Sequence, residues 1–158
     1  MKTGFYPGCS LKGTSSEYAL STLALAKDFG VELAEIEDWN CCGATAAHNL
    51  SHELAAALPA RVLALAEQQG MTEIVVPCAA CYNRLSVACH ELATDENLRN
   101  RMGGVLGMAV PGQVEILNVM QFIDKYIADK IGEKTVAPFA RKVAFNSRKY
   151  AISVGVNF

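Results

Sequence analysis

Nowhere does the sequence hold a run of 18 apolar residues, so no membrane-spanning helix is expected. An excess of positive charge is missing as well: 14 Lys and Arg stand against 16 Asp and Glu, a formal charge of −2. That balance argues against nucleic acid or an acidic membrane as a partner. Charged residues make up only 19% against 51% hydrophobic, which excludes a disordered chain and lets 158 residues bury one sizeable core. There is no internal repeat. Acidic residues stop at Glu133, after which come Lys134, Arg141, Lys142, Arg148 and Lys149. Residues 1–133 therefore carry nine basic and 16 acidic side chains, net −7, and the last stretch reads as a basic tail. The first extended segment begins almost at Met1, which leaves no room for a signal peptide, and a cytoplasmic location is expected.

What the sequence does have is alternation. Residues 2–6 read as a strand ending at Pro7-Gly8, and the capping-box pattern Thr14-x-x-Glu17 predicts a helix over about 15–29, closed by Gly30. Residues 31–36 alternate apolar and acidic side chains as a strand does, and Asn40-Cys41-Cys42-Gly43 reads as a loop. Residues 51–69 have helical spacing, with Pro59 either kinking the helix or starting a second one. Ile74-Val75-Val76 is buried-strand material, followed by a helix over about 79–93. Residues 102–112 read as a glycine-rich connection. Residues 114–117 can form a fourth strand, and Asn118-x-x-Gln121 caps a helix with Val119, Phe122, Ile123, Tyr126, Ile127 and Ile131 on one face. Strands alternating with helices predict an α/β fold, a parallel sheet of about four strands with helices on both faces and right-handed crossovers. Residues 1–137 are expected to form a single domain and 138–158 the tail, in which 142–145 resemble the start of a fifth strand.

Six cysteines are more than packing explains, and a reducing compartment disfavours disulfides, so metal or thiol chemistry leads. Cys9 follows the first predicted strand, Cys41 and Cys42 the second, Cys78 and Cys81 the third. In a parallel sheet the loops leaving the carboxyl ends of strands gather along one edge, so these five thiols are expected to converge. They lead into helix N-termini, whose N–H groups favour thiolates. Thiolates suit zinc and iron-sulfur clusters, and CxxC at a helix start serves one metal or one cluster. Neighbouring side chains on extended backbone diverge, so Cys41 and Cys42 share a site only if the chain turns there, which Gly43 permits; otherwise they serve different irons, or one bridges two. Five thiolates exceed the four that a tetrahedral zinc or a cubane needs. A thioredoxin-like pair at Cys78 and Cys81 leaves the other three unexplained. Cys89, two helical turns past Cys81, reads as packing, and His90 as a surface residue. His48 and His52 have i, i+4 spacing but lack a Glu after the first His. Tyr82, Asn83 and Arg84 either line a cleft or cap and solvate their helix.

The pattern Cys9, 31 residues, Cys41-Cys42-Gly43, 34 residues, Cys78-Ala79-Ala80-Cys81 resembles the cysteine-rich CCG domain found in the B-type subunit of heterodisulfide reductase. So do the strings Phe5-Tyr6-Pro7-Gly8-Cys9-Ser10-Leu11 and Pro77-Cys78-Ala79-Ala80-Cys81-Tyr82-Asn83-Arg84-Leu85. The resemblance covers about residues 1–143 and implies a Rossmann-like domain. It implies a non-cubane 4Fe-4S cluster bound by Cys9, Cys41, Cys42, Cys78 and Cys81, at which a disulfide is split. Electrons would come from an iron-sulfur partner subunit fed by a flavin subunit. Related proteins carry zinc at the corresponding site, so a zinc-binding or assembly module without turnover is the alternative. Subunits of this family resemble two such domains in tandem. This sequence is expected to be the amino-terminal half alone, its catalytic competence open, and a homodimer to imitate the tandem.

Overall fold

A computed structural model describes residues 3–44, 46–111 and 113–131, the side chains of His48 and Ile131 excepted. Four three-residue strands, β1 (Thr3–Phe5), β2 (Leu33–Glu35), β3 (Glu73–Val75) and β4 (Glu115–Leu117), pair in parallel in the order β2-β1-β3-β4. Between them run α1 (Gly8–Lys12), α2 (Ser16–Asp28), α3 (Ala47–Leu50), α4 (His52–Gln68), α5 (Ala79–Thr94) and α6 (Glu96–Leu106). After β4 come α7 (Val119–Tyr126) and α8 (Ala128–Ile131). Side-chain alternation sends Ile74 and Val75 to opposite faces. Ile74 joins a core with Leu63 of α4, Leu85 of α5 and Met102 of α6, while Val75 packs with Phe5, Leu117, Ala26 of α2 and Phe122 of α7. The fold is α/β with helices on both faces.

The chain departs from β1 to one side, forms β2, then passes back to place β3 on the other side of β1. The loops after β1 and β3 therefore part company, the arrangement that opens a crevice at the carboxyl edge of such sheets.

Several local expectations need correction. The Thr14–Glu17 box does not form: α2 starts at Ser16 with Ser15 as an N-cap that makes no side-chain bond. The short helix α1, unforeseen, sets that entry, since the Ser15 N–H bonds to the Ser10 carbonyl as the chain leaves it. Residues 102–106 are helix rather than connection; Asp95 caps α6 by accepting from the Leu98 N–H at 3.0 Å, and burial of Met102 outweighs the low helix propensity of Gly103 and Gly104. Pro59 lies inside a single helix, α4. It has no N–H for the Ala55 carbonyl, and Arg84 Nη2 on α5 donates there instead, at 3.3 Å. The Asn118–Gln121 capping box is present, with bonds of 2.9 and 3.0 Å. The Ile131 side chain, residues 142–145 and the basic tail lie outside the described residues.

At the amino edge of the sheet Glu73 is fully buried. Thr3 Oγ1 (3.2 Å) and Tyr126 Oη (2.7 Å) donate to its carboxylate, and Lys125 pairs with it and, at 2.7 Å, with Glu115. Both carboxylates, Glu115 first and Glu73 next, hold the Lys125 ammonium well above its ordinary pKa. Removing Lys125 leaves a buried carboxylate short of its cation, a loss of about 2 kcal/mol. Lys12 and Glu35 pair at 2.8 Å but are 54% and 40% exposed, so losing that pair costs at most about 0.5 kcal/mol. Urea unfolding of Lys125→Ala and Lys12→Ala is expected to show this inequality; equal midpoints would remove Glu73 from the anchors of the fold.

Candidate functional site

Three carboxyl-edge turns carry the cysteines. Cys9 lies in the first turn of α1, Cys41 and Cys42 in the loop beyond β2, Cys78 is the N-cap of α5 and Cys81 sits in that helix's first turn. The structure brings these five side chains together. Cys42 Sγ and Cys81 Sγ are 3.2 Å apart, Cys41 interacts with Cys9 and Cys42, and Cys81 with Cys78. Cys42 and Cys81 are buried, Cys78 is half-buried, and Cys9 and Cys41 are exposed. The sulfurs form a string of neighbours: among the described residues no three His, Cys, Asp or Glu donors close into a group that could hold a metal ion.

Two glycines make the string possible. A Cβ on Gly8 would lie 2.9 Å from Cys81 Sγ, so only a bare α-carbon lets the β1 turn approach that sulfur. Gly43 has φ +76°, and its turn lets Cys42 face Cys81 while Cys41 reaches toward Cys9, overcoming the divergence of adjacent side chains. The Gly43 N–H also donates to Cys41 Sγ at 3.5 Å.

The doublet is braced by residues that the cysteine pattern does not include. Asn40 Nδ2 donates to the carbonyls of Cys41 (2.9 Å) and Leu58 (3.0 Å). Arg61 Nη1 donates to Asn40 Oδ1 (3.1 Å) and to the Asp38 carbonyl (2.8 Å), and its Nη2 pairs with the Asp38 carboxylate. Asp38 is held at φ 56°, a left-handed conformation rare outside glycine. Tyr6 Oη donates to the Asn40 carbonyl at 2.9 Å. One signal was available: Arg61 is the only charged residue between Glu53 and Glu67, a cation in an otherwise apolar stretch.

Thiol electrostatics follow from the crowding. The hydrogen bond from Cys81 lowers Cys42 to a pKa of about 6, helped by the Ala44 N–H and Tyr6 and opposed by burial. Cys81, bonded to that sulfur and buried, is pushed far above the ordinary thiol range. At Cys41 the Gly43 N–H favours the thiolate, but burial with Cys9 and Cys42 outweighs it and the pKa rises.

The remaining candidates lie elsewhere. Cys89 Sγ donates to the Val114 carbonyl at 3.4 Å and packs against the core. His90 is exposed in the groove beside β4, and His52 lines a groove with Ser51, Leu98 and Arg101 that includes no cysteine. The His48 side chain is outside the described residues. Tyr82 packs against the core, Asn83 is exposed, and Arg84 is engaged with α4.

A sheet of this order with thiols at its switch point defines a cysteine-rich α/β module. Residues 3–86 match the family described as "CCG: Cysteine-rich domain", and the chain belongs to that family. It is 31% identical over 144 residues to the 8-methylmenaquinol:fumarate reductase membrane anchor subunit of Wolinella succinogenes, covering 89% of this chain and 49% of that protein. It is 26% identical over 109 residues to an Archaeoglobus profundus protein named for its likeness to the B-type subunit of heterodisulfide reductase, covering 67% and 36%. The chain thus spans half or less of the length of these curated relatives, both of which are named for redox proteins. A hypothetical protein from Helicobacter pylori shares the fold, with a TM-score of 0.70 at 14% identity over 80% of this chain and 26% of that one. Among the described residues no helix is long and apolar enough to cross a membrane.

A methyl group at position 43 would meet Ala47 Cβ at 2.7 Å and Leu58 Cδ1 at 2.8 Å, on backbone that already disfavours it. Gly43→Ala is therefore expected to cost at least about 1 kcal/mol and to loosen the Cys41–Cys42 turn, whereas Gly30→Ala, at similar φ but in open space, costs only the backbone part. Equal thermal shifts for the two variants would show that the turn has room to relax.

Proposed function

We propose that the chain is an iron-sulfur module of a heterodisulfide reductase-like complex, holding its cofactor through Cys9, Cys41, Cys42, Cys78 and Cys81 and passing electrons to a disulfide. The observation that carries this reading is the string of five thiols at the switch point, Cys42 and Cys81 being 3.2 Å apart. The donor set fits such a group: the ligands are soft sulfurs, two of them buried, and Gly8 leaves free the space that a Cβ would fill beside Cys81. The redox names of the relatives add support.

Each residue has a part. Cys42 and Cys81 hold the cofactor from the core side, and Cys9 and Cys41 from the solvent side, where a substrate disulfide approaches. Cys78 closes the set from the N-cap of α5, whose first-turn N–H groups favour negative charge on sulfur. When bound, a non-cubane 4Fe-4S cluster would supply electrons, with which a disulfide at this rim would take up two electrons and two protons and leave as two thiols. The electrons come from an iron-sulfur partner subunit, itself served by a flavin subunit. A second CCG domain, or a second copy of this chain, completes the surface around the cofactor.

Anaerobically purified protein is expected to carry about four iron and four acid-labile sulfide per chain. One zinc and no sulfide would replace this reading with a zinc-binding module that has no turnover of its own. Cys41→Ser or Cys42→Ser is expected to remove or rearrange the visible absorption, and Cys89→Ser to leave it unchanged; an equal loss at Cys89 would require a redrawn site.

A further inference from the structure

Tyr6 is the first residue past β1 and has no exposed surface. Its N–H extends the sheet by bonding to the Val75 carbonyl, which fixes its backbone to the strand that leads to Cys78. Its ring packs edge-on against Trp39, with centroids 5.3 Å apart and planes at 79°. The ring also lies by Gly8, where a Cβ would sit 3.5 Å from Tyr6 Cε1 and 2.9 Å from Cys81 Sγ. From this platform Oη reaches the Asn40 carbonyl, at 2.9 Å. The peptide that accepts this bond is the one that enters the cysteine doublet.

Nearness to sulfur is the second feature. Burial first, then Cys42, Cys81, Cys41 and Cys9, raise the Tyr6 phenol well above its ordinary pKa. Core tyrosines usually place the hydroxyl wherever a partner is available. Here it is bonded into a lattice with Asn40 and Arg61 that fixes the doublet.

We infer that Tyr6 is a positioning residue of the thiol site, its hydroxyl donating to the Asn40 carbonyl and so holding the Asn40–Cys42 turn against Cys81 in the geometry in which the doublet binds the cofactor. The inference rests on the cofactor reading above. Loss of that bond frees the turn, so the doublet no longer holds its sulfurs in one orientation and the potential and spectrum of the bound cofactor change. Tyr6→Phe removes the hydroxyl alone and keeps the ring on Trp39.

The test compares wild type, Tyr6→Phe and Trp39→Phe, each reconstituted anaerobically with iron and sulfide. Expected for Tyr6→Phe are an unchanged far-ultraviolet circular dichroism spectrum, full iron and sulfide content, a shifted midpoint potential and an altered low-temperature paramagnetic spectrum. Trp39→Phe changes the packing and keeps the hydroxyl, so its potential should match wild type. A Tyr6→Phe potential and spectrum equal to wild type would overturn the inference, as would an equal shift in both variants, which assigns the effect to packing. Cobalt(II) titration of the metal-free proteins, read by sulfur-to-cobalt charge transfer, separates this outcome from failure of the cofactor reading. If no variant takes up iron and sulfide, the cluster reading fails, and cobalt binding about tenfold weaker in Tyr6→Phe still supports Tyr6. Equal cobalt affinity would then remove it.

Discussion

The parallel pairing of β1 on both its edges is the constraint on which the site depends. Phe5 is level with Glu35 of β2 on one side and with Val75 of β3 on the other, so three strands end at the same height. Three turns then leave the sheet along one line, and the cysteines just beyond them need only short reaches to meet. A slip of one residue in β1 would turn Phe5 out of its core and move Cys9 by a strand step of about 3.3 Å. Two cores, one on each face, resist that slip, because Ile74 and Val75 are locked into opposite layers.

Strand register brings the turns near one another, but the orientation of the doublet is set by polar contacts. Asn40 spans from the Cys41 carbonyl to the Leu58 carbonyl of α4, Arg61 grips Asn40 and Asp38, and Tyr6 reaches the same segment from β1. α4 is in turn joined to α5 where Arg84 meets the carbonyl that Pro59 leaves without a helical donor. The cysteines of β2 and β3 are thus tied to each other through helix contacts as well as through the sheet. Core packing alone would leave the loop after β2 several backbone conformations; a left-handed Asp38 and Gly43 restrict it to one.

Much of this was legible from residue order. The period-two and helical patterns gave the four parallel strands and most of the helices, because each strand is a short segment with apolar residues lying between Gly, Pro or Asn signals. The common position of five cysteines after predicted strands anticipated where they would meet, since parallel topology decides which ends of strands share an edge. What was not legible depended on tertiary contacts. α1 is a five-residue helix with no periodicity to detect. The helicity of residues 102–106 depends on the place that Met102 finds in the core, which local glycine content argues against. Asn40 and Tyr6 look ordinary in sequence, Arg61 stands out only as a lone cation in an apolar stretch, and their joint role exists only once α4 lies beside the loop that follows β2.

The gradient of exposure across the thiols has a consequence for any group seated there. Cys42 and Cys81 face a medium of low polarisability, whereas Cys9 and Cys41 face water. Charge added to such a group is screened on one side only, so it gathers toward the wet pair. Dioxygen and small oxidants meet that pair first as well, so damage starts at Cys9 and Cys41 and spares the inner sulfurs longest.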